Sequence, residues 1–178
     1  MRSRYVLLAL LALPLAALGC GATTRPDGGV GLLPVGSPAP DLAAADQSGA
    51  PHRISDERGH PLIVYFYPKD ATPGCTKEAC AFRDAWAKYK AAGVQIFGVS
   101  ADDTSSHAEF AKDQHLPFPI LADPDHRWSK AFGVKTTLGV DARVSFLIDK
   151  QGRVAKVYPD VDPGVHAAQV LVDANALK

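Results

Sequence analysis

At residues 65–84 the chain reads YFYPKDATPGCTKEACAFRD, and this stretch decides the fold. The apolar run Pro61–Tyr67 ends in a turn that contains proline and glycine, as a buried strand does where it leaves a sheet. A helical pattern follows, with apolar side chains at steps of three and four residues. Thr72 is a suitable N-cap, and Pro73 suits the first helical position because its missing N–H costs nothing there. The pattern therefore predicts Cys75 in the first turn of a helix that follows a strand.

A thiol in the first turn of a helix faces unpaired backbone N–H groups and the positive end of the helix dipole. Both favour thiolate over thiol, and positions of this kind can lower a cysteine pKa from about 8.5 to about 3.5–7.5. The commoner fate of a free cysteine is to be buried as a small hydrophobic residue. The helix start, Gly74 and the nearby Cys80 together favour an exposed, reactive thiolate at Cys75 instead.

Cys80 decides which thiol chemistry is available. Residues five apart in an ideal helix are ~8.7 Å apart between Cα atoms, from the rise and radius of the helix. A disulfide needs roughly 4.4–6.8 Å, so Cys75 and Cys80 cannot bond while the turn is intact. A nucleophile held apart from its partner can react first with another molecule and be resolved after the turn unwinds. This order suits a sulfenic acid intermediate.

The spacing Pro68-x-x-x-Thr72-x-x-Cys75 resembles the active-site motif of the peroxiredoxins. The longer run 66–84, with its second cysteine, is similar to the bacterioferritin-comigratory or peroxiredoxin-Q subgroup. Several residue types coincide at fixed spacing in this run, which makes the match specific. A looser resemblance extends over about 34–177.

The resemblance implies an oxidoreductase, a thiol-dependent peroxidase acting on hydrogen peroxide and organic hydroperoxides in an antioxidant role. It implies that Cys75 is oxidised to a sulfenic acid and that Cys80 resolves this acid as an intramolecular disulfide. A thioredoxin-like protein reductant would then restore the dithiol.

The resemblance also implies roles for residues around the nucleophile. Thr72 is similar to the family residue whose hydroxyl bonds the thiolate and the bound peroxide, and Pro68 to the residue that shields the thiolate from water. Peroxide reduction also needs a fixed positive charge. Segment 143–149 resembles the family's arginine-containing strand, which makes Arg143 the expected cation. Ser145 stands where threonine is common in that strand.

Length and composition limit the other possibilities. The chain has 178 residues, enough for one domain with a proper core, and 19 basic against 19 acidic side chains. This balance, without a basic block, argues against nucleic-acid binding. Three cysteines are too few for a disulfide scaffold. The six histidines form no His-x-x-His or Glu-x-x-His pair, so we expect no metal ion and no cofactor.

The pattern along the chain predicts the order β-β-β-α-β-α-β-α-β-β-α, which combines a βαβ core with hairpins. We therefore expect an α/β protein with a thioredoxin-like fold, a peroxiredoxin N-terminal hairpin and additional helices. Thr104 or Ser105 is expected to cap the second helix. In the last helix, 164–177, four residues are expected to share one face: Val165, Ala168, Val172 and Ala176.

The first residues have the pattern of a bacterial signal peptide. Arg2 and Arg4 precede the apolar run Tyr5–Leu18, which is too short and wrongly flanked for an ordinary transmembrane helix. The run leads into residues 17–20, ALGC, which resemble a lipoprotein signal. In that family the cysteine, here Cys20, carries the lipid. A plain secretory peptide cut nearby is the alternative.

Three regions follow from this pattern: a signal peptide at 1–19, a flexible tether at 20–33 and a thioredoxin-like peroxiredoxin domain at 34–178. A lipid on Cys20 would hold the domain on a membrane surface without a spanning helix. The expected location is the bacterial cell envelope, facing outside the cytoplasm, where disulfides persist. We expect a monomer because resolution takes place within one chain.

Two other classes of protein remain open. Some thioredoxin-like domains bind Cu(I) with two cysteines and a distant histidine and act as membrane-tethered assembly factors. Those factors have three residues between the cysteines, whereas Cys75 and Cys80 have four. The second alternative is a lipid-anchored, non-catalytic binding domain in which the two cysteines form a passive structural disulfide.

Overall fold

The computed structural model describes residues 22–177. Nine strands and four α-helices follow one another along this part of the chain: β1 (Ala43–Ala45), β2 (Pro51–Arg53), β3 (Leu62–Phe66), α1 (Pro73–Ala92), β4 (Gln95–Ser100), α2 (Thr104–Gln114), β5 (Ile120–Ala122), α3 (Arg127–Phe132), β6 (Thr136–Thr137), β7 (Val140–Asp141), β8 (Val144–Ile148), β9 (Val154–Tyr158) and α4 (His166–Asn175). A short 3-10 helix, Ile54–Glu57, precedes β3.

The central sheet has five strands in the order β5-β4-β3-β8-β9. β3, β4 and β5 are parallel, while β8 pairs antiparallel with both β3 and β9. β5 lies at the edge, as expected of a strand preceded by Pro119. Two small hairpins, β1–β2 and β6–β7, lie outside this sheet. The predicted α/β order is confirmed, and the β6–β7 hairpin is an addition to it.

β3 is buried along its whole length, and its side chains divide the core in two. Ile63 and Tyr65 face the cluster formed with α1, α2 and α4, whereas Leu62, Val64 and Phe66 face the cluster that contains α3. This alternation follows from the two-residue period of a strand. Cys75 belongs to the first cluster and lies near the start of α1, shortly after the end of β3.

The predicted tether differs from what the structure shows for residues 22–33, which pack on the domain. Thr24 forms an antiparallel bridge with Val30, and the Leu33 N–H donates to the carbonyl of Phe132 at 2.9 Å. Arg25 Nη1 donates to the Gly31 carbonyl at 2.7 Å. The glycines that suggested flexibility form turns instead, since Gly31 has a φ of +74°.

The predicted signal peptide 1–19 and the lipid attachment at Cys20 lie outside the described residues. Between residues 22 and 177, no helix is both long and apolar enough to cross a membrane.

Candidate active site

The segment between β3 and α1 delivers Cys75 to the start of a 20-residue helix. Pro68 is half-buried where the chain leaves β3, and Thr72 is the N-cap with extended backbone angles. The Thr72 hydroxyl does not cap the helix, which corrects that part of the prediction; it donates to the Lys69 carbonyl at 3.0 Å. The Thr72 side chain therefore accepts no hydrogen bond from the first N–H groups of the helix, including that of Cys75.

Cys75 is buried, with 1% of its surface exposed, so the expectation of an exposed thiolate is wrong. Its position in the first turn points the side chain back over the sheet, into the cluster that contains Tyr65 and Tyr67. The sulfur nevertheless has a charged neighbour, because Arg143 Nη2 donates to its Sγ at 3.2 Å. A cation in direct contact stabilises a buried thiolate.

Arg143 reaches the sulfur because of the sheet register. It immediately precedes β8, and in the antiparallel pair Val144 lies opposite Phe66, the last residue of β3. Its guanidinium therefore lies beside the exit to α1. Gly74 leaves room for it, since a Cβ on Gly74 would lie 3.2 Å from Nη2. Arg143 and Cys75, distant in sequence, are thus brought together where β3 ends and β8 begins, at one end of two inner strands.

Glu78 is a site residue that the sequence reasoning did not assign. It is fully buried one turn after Cys75, and its Oε2 pairs with Arg143 Nη1. Burial raises the pKa of Glu78 to about 7, against the opposing effect of the Arg143 charge. The same guanidinium thus contacts Cys75 through Nη2 and Glu78 through Nη1. The i to i+3 spacing from Cys75 was the signal available in the sequence.

A polar pair continues the site along β8. Ser145, two residues after Arg143, lies 2.8 Å from His166 Nε2 of α4. Burial, together with the nearby Arg143 charge, lowers the pKa of His166 to about 4. His166 is therefore neutral at neutral pH and adds no second positive charge beneath the site.

Cys80 lies in the same uninterrupted helix, and both cysteines are free thiols. Its Sγ donates to Gln114 Oε1 of α2 at 3.4 Å. Arg83, next along the helix, pairs with Asp84 at 2.9 Å and donates to the Gln114 carbonyl at 2.8 Å. Helix geometry keeps the Cα atoms of Cys75 and Cys80 ~8.7 Å apart. The structure therefore holds the two thiols apart, as the spacing predicted.

Asp70, in the loop before α1, accepts three short hydrogen bonds. The donors are Tyr67 Oη, Ser106 Oγ and His107 Nδ1, each at 2.8 Å. The next residue, Ala71, has a φ of +56°, which is uncommon for a residue with a Cβ. The Asp70 contacts therefore join the active-site loop to α2.

Within the described residues, no group of three His, Cys, Asp or Glu side chains is placed to bind a metal ion. The Cu(I)-binding alternative therefore finds no three-residue ligand set between residues 22 and 177.

The chain is similar to known proteins over most of its length. A model of the AhpC/TSA family matches residues 35–157. Chloroplastic peroxiredoxin Q of Oryza sativa subsp. japonica is 42% identical over 144 residues, which cover 79% of this chain and 66% of that protein. The chain therefore spans slightly less than two thirds of that relative. A putative peroxiredoxin bcp of Coxiella burnetii is 39% identical over 147 residues, covering 78% of this chain and 97% of that protein.

The fold has close counterparts among solved structures. The peroxidoxin BcpB of Mycobacterium tuberculosis superposes with a TM-score of 0.76 at 32% identity, covering 81% of this chain and 97% of that one. The thioredoxin-like fold predicted from the sequence is thereby confirmed. The chain belongs to the AhpC/TSA family, in its peroxiredoxin Q and bacterioferritin-comigratory branch.

Proposed function

We propose that this chain is a thiol-dependent peroxidase that reduces hydrogen peroxide and organic hydroperoxides through Cys75 and is recycled by a thioredoxin-like protein. The observation that carries the proposal is the contact between Arg143 Nη2 and Cys75 Sγ, at 3.2 Å in the first turn of α1. A buried sulfur, a permanent cation and unpaired helix N–H groups meet there, and peroxide reduction needs this combination.

In the first step the Cys75 thiolate attacks one peroxide oxygen, so that an S–O bond forms and the O–O bond breaks. The leaving oxygen departs as water or an alcohol after taking a proton, and the sulfur becomes a sulfenic acid. Arg143 stabilises the negative charge as it moves from sulfur to the leaving oxygen. Glu78 holds the guanidinium in the required orientation through its second terminal nitrogen.

Thr72 and Pro68 complete the peroxide site in this proposal. The Thr72 hydroxyl donates its hydrogen bond to the Lys69 carbonyl. The lone pairs of its oxygen therefore remain available to accept a hydrogen bond from the peroxide. Pro68, half-buried at the end of β3, limits access of water to the sulfur. The backbone N–H of Cys75 supplies a further donor.

In the second step the first turns of α1 unwind and Cys80 attacks the Cys75 sulfenic acid. The S–S bond forms as the S–O bond breaks, and the hydroxyl leaves as water with the Cys80 proton. The disulfide is reduced by two electrons from a dithiol protein of the thioredoxin type, which becomes the oxidised partner. Both sulfurs belong to one chain, which supports a monomer as the working unit.

The proposed location is the bacterial cell envelope, with the domain anchored by a lipid on Cys20 after removal of residues 1–19. The motif at residues 17–20 supports this proposal. Because residues 22–33 pack on the domain, the lipid would lie close to it. Incorporation of a labelled fatty acid into the full chain, and its loss in Cys20→Ala, tests the anchor. Labelling of Cys20→Ala equal to that of the wild type would contradict it.

The activity is tested with the reduced chain starting at residue 20, hydrogen peroxide and a thioredoxin system. Cys75→Ser is expected to abolish peroxide consumption. Cys80→Ser is expected to permit one oxidation, accumulate a sulfenic acid that dimedone traps, and stop turnover with thioredoxin. Normal cycling of Cys80→Ser would show that Cys80 does not resolve the intermediate, and normal cycling of Cys75→Ser would overturn the function itself.

A further inference from the structure

Helix α2 contacts the active-site segment on both sides of the turn that must unwind. Its first part reaches the loop before Cys75, and its last residue reaches Cys80. Between these contacts, Phe110 and Ala111 of α2 pack in the same core cluster as Cys75. The helix therefore spans the reactive stretch as one rigid element.

The first contact holds the loop that leads into α1. Asp70 is nearly buried, and two of its three side-chain donors, Ser106 and His107, belong to α2. Its own N–H donates to Asp102 Oδ2 at 2.9 Å, just before that helix begins. Hydrogen bonds to a buried carboxylate are stronger than those between neutral groups. Release of the loop would require these bonds to lengthen together.

The second contact holds the resolving thiol. Cys80 Sγ donates to Gln114 Oε1, and the Gln114 carbonyl accepts from Arg83 Nη1. Both ends of Gln114 are therefore bonded to α1, through Cys80 and through Arg83. Gln114 thus holds the Cys80 sulfur against α2 while α1 is folded.

We propose that Asp70 and Gln114 are positioning residues through which α2 clamps the Cys75–Cys80 turn and sets the rate of disulfide formation. This inference rests on the proposed peroxidase function and concerns its second step. The clamp favours the folded turn in which peroxide reacts, and it must open before Cys80 can reach Cys75. It is a restraint on resolution and does not touch the peroxide.

The clamp also decides between two fates of the sulfenic acid. Attack by Cys80 forms the disulfide and releases water. Attack on a second hydrogen peroxide oxidises the sulfur to a sulfinic acid, breaks the O–O bond and also releases water. A slower opening of the turn leaves more time for the second reaction. The clamp therefore sets the peroxide concentration at which the enzyme is inactivated.

Two substitutions open the clamp from opposite ends. Asp70→Asn keeps the shape of the side chain but removes its charge, and Gln114→Leu removes the acceptor of the Cys80 thiol while keeping the backbone contact to Arg83. Loss of one such bond is expected to raise the rate of disulfide formation about three- to tenfold. Lys112→Gln, at an exposed position of the same helix, is the control and is expected to match the wild type.

Stopped-flow tryptophan fluorescence of the reduced chain after a pulse of hydrogen peroxide separates the oxidation phase from the resolution phase. Hydrogen exchange of the reduced protein, read on the peptide that contains residues 73–80, reports the opening of the turn without peroxide. Both variants are expected to speed the resolution phase and to need more peroxide to form sulfinic acid. Asp70→Asn is also expected to raise exchange in that peptide.

The outcomes distinguish the two claims. A resolution rate within twofold of that of Lys112→Gln in both variants would overturn the clamp. A normal oxidation phase in the same experiment would still support the peroxidase function. Slower resolution would show that the contacts assist Cys80, and would equally overturn the clamp. Absence of any oxidation phase in the wild type would instead refute the proposed function. If Asp70→Asn fails to fold, Gln114→Leu alone decides.

Discussion

The two cysteines of α1 each have an arginine nearby, yet their surroundings differ. Arg143 donates directly to Cys75 Sγ, and its other nitrogen is paired with the buried Glu78. Arg83, beside Cys80, is more exposed than Arg143. It pairs with Asp84 and donates to the Gln114 carbonyl. Cys80 itself donates to a neutral amide. Under the proposed function, direct contact with the cation and burial, rather than the mere presence of an arginine nearby, distinguish the sulfur that reacts.

The largest effect is expected from removing the cation at Cys75. Arg143→Ala should slow the oxidation phase about 10²–10³-fold, because a preorganised donor to the developing charge is lost. The buried Glu78 can take up a proton, so the domain should remain folded, which circular dichroism checks. Arg83→Ala is the matched control and should change the oxidation rate less than threefold. Equal effects of the two substitutions would show that the contact with Arg143 does not distinguish Cys75 from Cys80.

A smaller effect is expected from Glu78→Gln. The amide can still accept a hydrogen bond from Arg143 but no longer pairs with its charge, so the guanidinium is held less firmly. The oxidation rate at pH 8 should fall about tenfold, in line with a lost charge-assisted bond. Stopped-flow fluorescence measures it, with Glu109→Gln, at an exposed position of α2, as the control. A rate within twofold of the wild type would show that the charge of Glu78 is not required to orient the Arg143 guanidinium.

The raised pKa of Glu78 also has a consequence for stability. A glutamate in the unfolded chain titrates near 4.5, whereas in the fold the value is about 7. The protonated form therefore contributes stability that is fully present below pH 4.5 and is lost as the pH rises through 7. Urea unfolding should show the wild type losing up to ~3 kcal/mol relative to Glu78→Gln over this range. A difference that stays constant with pH would contradict the assignment.

The smallest effect is expected at the glycine that admits the guanidinium. Gly74→Ala would place a methyl group 3.2 Å from Arg143 Nη2, a tight contact that a small movement of the arginine relieves. The oxidation rate should fall about two- to threefold, while alanine's higher helix propensity leaves stability unchanged or slightly raised. The peroxide rate and the thermal midpoint of Gly74→Ala measure both. A faster rate would mean that the guanidinium is not confined there.

The strand, the turn and the helix start at Cys75 could be predicted because local signals decide them. Hydrophobic periodicity marked β3 and α1, and the helix ends at Gly93 in a left-handed conformation, which glycine commonly adopts after a helix. Arg143 was found only through resemblance to a family. Its partner Glu78 was missed because their contact joins residues 65 apart, and the i to i+3 spacing from Cys75 indicates only that Glu78 shares a helix face with that cysteine.

Other misses have local causes. Asp103, rather than Thr104 or Ser105, caps α2, since its carboxylate accepts from the Ser106 N–H. In α4 the buried residues are His166, Ala167, Val170 and Ala174, while Val165 and Val172, two of the residues expected to share one apolar face, are exposed. The buried face of that helix includes His166, and a pattern based on apolar residues alone assigns a histidine to the surface. Periodicity found the element but chose the wrong face.

The most direct test compares the two thiols in isolation. The second-order rate constants of Cys80→Ser, which keeps only Cys75 in α1, and of Cys75→Ser, which keeps only Cys80, are measured with hydrogen peroxide at pH 7 in chains that also carry Cys20→Ser. We expect the chain retaining Cys75 to react at least ~10²-fold faster, because its buried sulfur accepts a hydrogen bond from the half-buried Arg143. Similar rate constants for the two chains would contradict the claim that the contact with Arg143 selects the reacting sulfur.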